Sequence, residues 1–385
     1  MTRQLVLTAL LAASAPALGR AADPQFLISA NDNKTILIDG VQTVLPAAPP
    51  DTVSIYDVSV TPPKLIAELN VPTSVVGPPQ MVAIAPDRSI ALVTSALKYD
   101  PADRTKTIPD DLVTVIDLGA SPPKVSATLH AGRQASGVSI NRAGTMALVA
   151  NRADGTVSIF TIAGKTVTPA GSVDLGAPES GPSHVAFTPD GTRALVTRYN
   201  DNFISVLAID NGHVTYTKRD IASGLKPYGV EITPAGDVAV AGNTGAGATG
   251  SVDTITVIDL KADPPRASNQ LAAGPTVEGI SLAPDGKFVA TTVMNGTNVP
   301  KSSPFFHDFG LLKIFSLSGT TLAPITSAQI GHWCQGAAWT PDGRKLFVQC
   351  MVEKQILMFD FDGRTLKPAG ALKVNGGPAA IRISK

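Results

Sequence analysis

A recurring pattern of short strands and tight turns constrains the fold of this chain more than any other feature. Six copies of an apolar strand followed by a Pro-Asp-Gly-like turn occur, and residues 183–192, "SHVAFTPDGT", are representative. The turns are 45 to 57 residues apart, centred on Asp87, Ala143, Asp190, Ala235, Asp285 and Asp342. Another strand type, with a β-branched centre, is the third strand of the repeating unit and occurs seven times, as in residues 253–260, "DTITVIDL". Both types alternate in polarity, as expected for strands of sheets with two distinct faces.

The two strand types match in number only if the ends of the chain are joined. Residues 378–385, "PAAIRISK", have the pattern of a first strand, and no second strand follows them. Residues 26–32, "FLISAND", have the pattern of a second strand, and no first strand precedes them. Pairing these segments completes a seventh four-stranded unit and removes the free edges of an open array. We therefore predict an all-β fold, a seven-bladed β-propeller whose ring is closed by the C-terminal strand pairing with the N-terminal blade.

Composition agrees with a packed domain and argues against some partners. Hydrophobic residues make up 44% and charged residues 16% of the chain, so a large core can be buried. The 31 Lys and Arg residues are balanced by 31 Asp and Glu residues. This balance favours neither nucleic acid nor an anionic membrane surface as a partner.

The N-terminus has the order of features that is typical of a secretory signal peptide. Arg3 precedes a short apolar segment, "LVLTALLA", and the small-residue segment "ASAPALGRAA" follows it. We predict a signal peptide at residues 1–22 and a single propeller domain at 23–385. The mature protein is then expected to be periplasmic or secreted, with no membrane insertion after the signal is removed.

The chain has two cysteines, Cys334 and Cys350. If Trp339 faces Lys345 across the turn between two strands, the two cysteines face each other as well. Directly opposed residues have Cα atoms close enough for a disulfide. We therefore predict an intrablade disulfide, formed in an oxidising compartment.

Two segments resemble a known family of repeats. Residues 147–162, "ALVANRADGTVSIFTI", and residues 188–210 resemble the YVTN repeats of YncE-like β-propellers. That group is similar to the bacterial lactonase-like propellers, which include 6-phosphogluconolactonase. The resemblance implies a propeller over nearly the whole mature chain. It implies little about activity, because the shared residues belong to the scaffold.

In a propeller the first strand of each blade is innermost, and its start lies on the same face as the loop between the second and third strands. Aligning the seven first strands gives one column around the channel mouth: Gln80, Ser136, Ser183, Tyr228, Glu278, Gln335 and Ala379. Adjoining positions add Arg133, His184, Lys226, His332 and Trp333, and the loops add Arg152, Arg198 and Tyr199. From these we predict a ligand site formed by Gln80, Arg133, Arg152, Arg198, Tyr199, Tyr228 and Gln335. The arginines suit a carboxylate or phosphate, and the alternative is a solvated polar mouth without a ligand.

The loops between second and third strands are expanded in blades one, two, five and six. We expect them to form an uneven wall on this face and to leave the side that carries the arginines more open. The blade-six loop contains "PFFHDF", residues 304–309. This segment either caps a ligand, docks a protein or packs on the neighbouring loop.

Three functions remain open from the sequence. The first is an exported propeller that binds a small polar or anionic ligand, or a periplasmic protein partner. The second is a lactonase-like hydrolase or a cyclising enzyme, in which His184 exchanges the proton and Glu278 orients water or holds the imidazolium. The third is a propeller subunit of a periplasmic redox complex. No HExxH, GxSxG, P-loop or CxxCH motif occurs, and neither a metal site nor a cofactor is expected.

Overall fold

The computed structural model describes residues 24–247 and 249–385, and the predicted signal peptide at 1–22 lies outside the described residues. Within these ranges the chain forms 32 strands and one short 3-10 helix at Pro178–Ser180. No helix in the described part of the chain is long and apolar enough to cross a membrane.

The strands form seven four-stranded antiparallel sheets and two short hairpins. Blades one and two contain, in chain order, β1 (Phe26–Asp32), β2 (Thr35–Ile38), β3 (Val41–Val44), β4 (Thr52–Asp57), β5 (Lys64–Asn70), β6 (Val82–Ile84), β7 (Ile90–Thr94), β8 (Leu97–Tyr99), β9 (Thr107–Pro109), β10 (Leu112–Asp117) and β11 (Lys124–His130). Blades three and four contain β12 (Ala135–Ile140), β13 (Met146–Asn151), β14 (Thr156–Ala163), β15 (Thr166–Asp174), β16 (Pro182–Phe187), β17 (Arg193–Arg198), β18 (Phe203–Asp210) and β19 (His213–Ala222).

The remaining strands complete blades five to seven and close the ring. Blades five and six contain β20 (Pro227–Ile232), β21 (Val238–Asn243), β22 (Asp253–Asp259), β23 (Arg266–Gly274), β24 (Val277–Leu282), β25 (Phe288–Val293), β26 (Gly310–Ser318) and β27 (Thr321–Ile330). Blade seven and the closing strand are β28 (Cys334–Trp339), β29 (Lys345–Cys350), β30 (Gln355–Phe361), β31 (Leu366–Lys373) and β32 (Gly377–Ile383).

Blade one is built from both ends of the described chain. Its strand order is β32-β1-β4-β5, and Leu27 pairs with Ile383 while Ser29 pairs with Ile381. The first strand of every blade contacts the first strands of both neighbouring blades. The predicted seven-bladed fold and its closure by the C-terminal strand are therefore confirmed.

The core is divided among the interfaces between blades. A cluster of buried apolar side chains fills each interface, such as Leu148 and Val196 between blades three and four and Val240 and Ile280 between blades five and six. Equivalent clusters lie at the other five interfaces. Because each sheet buries its faces only against its neighbours, the ring has to close for every blade to be stable.

The repeated Asp of the turns has a local structural role. In blade four the Thr188 hydroxyl donates to Asp190 at 2.5 Å, and the Thr192 backbone N–H donates to the same carboxylate at 3.0 Å. These hydrogen bonds hold the pKa of Asp190 below its usual value. Gly191 has a φ of 72°, which glycine adopts without steric cost.

The predicted disulfide joins Cys334 to Cys350, with 3.9 Å between their Cα atoms. The register assumed for it was wrong by one residue, because Trp339 pairs with Leu346 and not with Lys345. A β-bulge between Cys334 and Ala337 shifts the pairing and brings the two cysteines opposite each other.

The long loops of blades one, two and six meet over one side of the channel. The β2–β3 hairpin reaches the blade-six loop, where the Lys301 backbone N–H donates to Asp39 at 3.1 Å. The blade-two loop braces this hairpin, because Arg104 Nε donates to the Pro46 carbonyl at 2.8 Å. Phe305 of the "PFFHDF" segment packs on the neighbouring loop, since a Cβ at Gly250 would lie 2.3 Å from its ring.

Candidate functional site

A cavity of about 250 Å³ opens at the channel mouth, on the face that carries these loops. Its polar and aromatic lining includes Arg152, Tyr199, Lys226, Tyr228, Glu278 and Trp333. At about 30 Å³ per water molecule, the cavity has the volume of about eight waters. It therefore suits a small molecule.

Two positions of the repeat supply most of this lining. The residue directly after the second strand of a blade lines the cavity in four neighbouring blades: Arg152, Tyr199, Thr244 and Met294. The residue directly before the first strand does so in three blades: Lys226, Thr276 and Trp333. These last three have φ values of 58°, 59° and 46°. The left-handed backbone at this position is a feature of the repeat that places its side chain at the mouth.

The Arg152 guanidinium lies beside two aromatic rings. Its central carbon is 4.7 Å from the centre of the Tyr199 ring and 5.4 Å from that of Tyr228. Lys226 Nζ lies 5.4 Å from the Tyr199 ring. One terminal nitrogen of Arg152, Nη1, is buried and has no hydrogen-bond partner among the described residues. An arginine with a free donor in a partly enclosed site is well placed to bind a carboxylate or phosphate.

Glu278 is the acidic group of the cavity. Only 7% of the residue is exposed, and this burial raises its pKa to about 8, although Arg152 opposes the shift. The carboxyl is therefore mostly protonated at neutral pH. With its amide oriented to satisfy both neighbours, Gln335 donates to Glu278 Oε1 at 3.1 Å and accepts from Trp333 Nε1 at 3.1 Å.

Gln80 and Tyr228 link opposite sides of the channel. The Tyr228 hydroxyl accepts a hydrogen bond from the Gly77 backbone N–H at 2.9 Å. Burial, with Glu278 nearby, raises the pKa of Tyr228, so its hydroxyl stays neutral. Gln80 Nε2 donates to the Ile280 carbonyl at 3.1 Å. Because Ile280 lies two residues beyond Glu278 on β24, Gln80 lies deeper in the channel than the cavity lining.

His184 is not among the residues that line the cavity. It is buried between inner strands, where its Nδ1 accepts from the Val230 backbone N–H at 3.2 Å. Burial first, and then the charge of Arg382, hold its pKa well below the ordinary value. The neutral ring therefore carries its proton on Nε2. The structure therefore does not bring His184 together with Glu278 in this cavity, although the sequence predicts that both act at one reacting centre.

Two of the three predicted arginine ligands are also outside the cavity. Arg198 has a side chain only 8% exposed and pairs with Asp201 and, at 3.2 Å, with Asp220. Arg133 is 68% exposed and pairs with Asp154 at 2.7 Å. Of the predicted ligand residues, Arg152, Tyr199 and Tyr228 line the cavity, Gln335 lies behind Glu278, and Gln80 lies deeper.

A histidine fastens the wall of the cavity on the side of blades six and seven. His332 Nδ1 lies 2.6 Å from Glu353 and its Nε2 lies 3.0 Å from Asp308 of the blade-six loop. Partial burial opposes protonation of this ring, but the hydrogen bonds to both carboxylates outweigh it and raise the pKa of His332. The blade-six loop is thereby tied to blade seven.

A larger concavity of about 520 Å³ lies on the opposite face, between the turns of blades six and seven. Its carboxylates are already used by their own turns, since Asp342 accepts from Thr340 and Arg344 and Asp285 accepts from Lys287. Within the described ranges, no group of three or more His, Cys, Asp or Glu side chains is placed to hold a metal ion. The mouth cavity is therefore the candidate site.

Residues 95–224 match the family model described as lactonase, 7-bladed beta-propeller. The predicted resemblance to the lactonase-like propellers is confirmed over these residues, and the fold of the described chain is a seven-bladed β-propeller. The sequence matches no curated protein.

Solved structures extend the likeness over most of the chain. A candidate 6-phosphogluconolactonase from Bacteroides fragilis is 15% identical, with a TM-score of 0.70 and coverage of 95% of this chain and 99% of that one. The periplasmic gluconolactonase of Pseudomonas aeruginosa is 14% identical, with a TM-score of 0.68 and coverage of 94% and 99%. Hydrazine synthase of Kuenenia stuttgartiensis is 20% identical, with a TM-score of 0.62 and coverage of 81% and 91%. At these identities the likeness shows the fold alone.

Proposed function

We propose that this protein is an exported propeller that binds a small organic anion, a sugar acid or its lactone, in the mouth cavity. The observation that carries the proposal is the buried Nη1 of Arg152, which has no hydrogen-bond partner among the described residues. A buried donor without a partner is costly. A carboxylate or phosphate on this nitrogen would remove that cost.

The other walls of the cavity suit the rest of such a ligand. Lys226 adds a second positive charge on the far side of the Tyr199 ring. Tyr199 and Tyr228, with ring centres 5.5 Å apart, offer flat apolar surfaces. Glu278, neutral near pH 7, offers a hydrogen-bond donor without repelling an anion. These features favour an acid with several oxygen atoms over a cation or a hydrocarbon.

Export is supported by two observations. The Cys334–Cys350 disulfide is of a kind that persists in oxidising compartments. One structural neighbour is described as periplasmic, although it shares only 14% identity with this chain. Both agree with the signal peptide predicted from the sequence at residues 1–22.

Hydrolysis of a lactone is the second candidate function, favoured by the family match and by the carboxyl of Glu278 inside the cavity. As a carboxylate, Glu278 would accept a proton from water while the water oxygen attacks the lactone carbonyl. The ring C–O bond then breaks, and the proton passes to the leaving oxygen. Because His184 does not line the cavity, Glu278 would be the base.

The remaining alternatives from the sequence have less support. The likeness in fold to hydrazine synthase is compatible with a subunit of a redox complex, but no side-chain cluster in the described part of the chain favours that role. If this face binds a protein partner instead, calorimetric titration with small organic acids should give no heat of binding.

Isothermal titration with D-gluconate at pH 6.5 tests the binding proposal. We expect Arg152→Ala to weaken binding by about 10- to 100-fold, because a charge-assisted hydrogen bond contributes about 1.5–3 kcal/mol. Arg133→Ala is the matched control, since Arg133 is on the same face but is exposed and paired with Asp154. Equal affinities of the wild type and Arg152→Ala, or no binding at all, would contradict the proposal.

The pH dependence separates binding from hydrolysis. Binding to a neutral Glu278 should weaken as the pH rises through about 8, whereas hydrolysis by its carboxylate should increase over the same range. Glucono-δ-lactone hydrolysis, corrected for the spontaneous rate, measures the second process. A rate that Glu278→Gln leaves unchanged would exclude Glu278 as the base.

A further inference from the structure

The Trp333 indole fixes the orientation of the Gln335 amide. An indole N–H only donates hydrogen bonds, so we assign the Gln335 atom that faces it at 3.1 Å as the amide oxygen. This orientation gains two hydrogen bonds of 3.1 Å and gives up one of 3.4 Å from Gln335 Nε2 to the Trp333 carbonyl. The amide nitrogen then points to Glu278 and donates to Oε1 at 3.1 Å. The Trp333 N–H therefore fixes the orientation of the Gln335 amide, and the amide makes Oε1 of Glu278 a hydrogen-bond acceptor.

We propose that Trp333 and Gln335 are positioning residues that hold Glu278 as a hydrogen-bond donor toward an oxygen atom of the bound anion. This inference rests on the proposed function of the mouth cavity. Because Oε1 accepts from Gln335, the proton of the neutral carboxylic acid resides on Oε2. Among the described residues the hydrogen bond from Gln335 to Oε1 is the one recorded for this carboxyl, so the O–H at Oε2 is available to the ligand.

The support of this arrangement is rigid. Gln335 is fully buried, and Trp333 and Glu278 are each more than nine-tenths buried. Cys334, which lies between Trp333 and Gln335 in the chain, is covalently bonded to Cys350. The Trp333 backbone N–H donates to the Thr297 hydroxyl at 3.0 Å, which joins the same segment to the blade-six loop. The donor is therefore oriented before the ligand binds.

The charges around Glu278 define the class of ligand that this donor selects. Arg152 and Tyr228 are its ionisable neighbours, and Tyr199 and Lys226 lie farther out. Tyr228 remains neutral because burial raises its pKa. A ligand that fits has one anionic group for Arg152 and a second oxygen that accepts from Glu278. A hydroxy acid or an acid with a lactone carbonyl meets both conditions.

The pKa of Glu278 tests the role of Trp333 without any ligand. It is measured by NMR titration of protein labelled with ¹³C in its glutamate carboxyls, with the resonance assigned through Glu278→Gln. Trp333→Phe keeps an aromatic ring but removes the N–H, which frees the Gln335 amide to rotate and accept the proton of Glu278. We expect the Glu278 pKa to rise by about one unit.

Trp339→Phe is the matched control, because the Trp339 indole N–H donates to the Ser281 carbonyl at 3.3 Å, at the other end of β28. It should leave the Glu278 pKa unchanged. If Trp333→Phe fails to fold, Gln335→Leu removes the amide and should raise the pKa in the same direction. A pKa that neither variant alters would overturn the inference.

D-gluconate titration at pH 6.5 provides the second measurement. We expect Trp333→Phe to bind about 5- to 10-fold more weakly than the wild type, the affinity equivalent of about one uncharged hydrogen bond. Failure of the wild type to bind would count against the proposed function, and the NMR titration would still decide the role of Trp333. Full affinity in Trp333→Phe would count against the positioning role alone.

Discussion

Arg198 is the last residue of the second strand of blade four, Arg152 directly follows the second strand of blade three, and the two guanidinium groups have different surroundings. Arg198 is the last residue of β17 and points toward the outer strands, where Asp201, Asp220 and Tyr216 contact it. Arg152 follows the last residue of β13 by one position and points into the mouth cavity. One guanidinium is neutralised by carboxylates, and the other lies beside aromatic rings with a free donor.

The difference follows from the two-residue period of a strand. Asn151 occupies the position in blade three that Arg198 occupies in blade four, and its side chain also points toward the outer strands, to Thr156 and Ser158. A shift of one residue along the strand sends a side chain to the other face. Two arginines that look equivalent in sequence therefore belong to different sites, one structural and one open to a ligand.

The largest expected effect concerns the acid beside Arg152. The pKa of Glu278 is raised from 4.5 to about 8 in the folded protein, so the folded state binds more protons than the unfolded state between these values. The contribution of Glu278 to the free energy of unfolding is therefore greatest below pH 4.5. It decreases by up to about 4–5 kcal/mol as the pH rises through about 8. Glu278→Gln should remove this loss. Urea unfolding of the wild type and the variant at pH 5, 7 and 9 measures the free energy of unfolding. If this energy depends on pH in the same way in both proteins, burial of Glu278 does not raise its pKa as described.

Arg198→Ala should cost about 2–3 kcal/mol of unfolding free energy. Removing one partner of a largely buried ion pair leaves Asp201 and Asp220 without compensation. Arg152→Ala, which breaks no ion pair and removes a buried donor that has no partner among the described residues, should not lower the unfolding free energy. Urea unfolding of both variants at pH 7 makes the comparison. Similar losses in the two would show that the arginines do not differ in the way proposed.

Asn151→Ala tests whether the strand position, rather than the arginine itself, defines the structural site. Asn151 accepts from the Gly132 backbone N–H at 3.1 Å and donates to Thr156 and Ser158. Loss of these buried hydrogen bonds should cost about 1–2 kcal/mol. Affinity for D-gluconate should stay at the wild-type value, although Arg152 is the next residue. If Asn151→Ala instead weakened D-gluconate binding and left the free energy of unfolding unchanged, Asn151 would belong to the ligand site and not to the structural site.

Tyr199→Leu should have the smallest effect. The substitution keeps an apolar surface but removes the ring next to Arg152 and Lys226. A cation–π contact at a partly exposed site contributes about 0.5–1 kcal/mol, so affinity for D-gluconate should fall about 2- to 5-fold. Calorimetry with Phe203→Leu as the control is suitable, since Phe203 is an exposed aromatic residue in the same blade. Equal losses in the two variants would remove Tyr199 from the site.

Part of the site could have been found from the sequence by a stricter alignment. Matching the second strands of blades three and four places Arg198 with Asn151 and Tyr199 with Arg152, so the sequence alone distinguishes the two arginine positions. Gln42 and Asn298 also line the cavity. They belong to long loops outside the repeat, so no alignment of blades could place them.

The sequence by itself determined the number of blades, the closure of the ring and the partner of each cysteine. These are consequences of periodic strand patterns and turn residues, which act over a few residues and repeat along the chain. Only the tertiary structure decided which charged side chains have an oppositely charged or hydrogen-bonding partner. The pKa of Glu278, the pairing of Arg198 and the free donor of Arg152 depend on burial and on neighbours from other blades, and neither is encoded in local spacing.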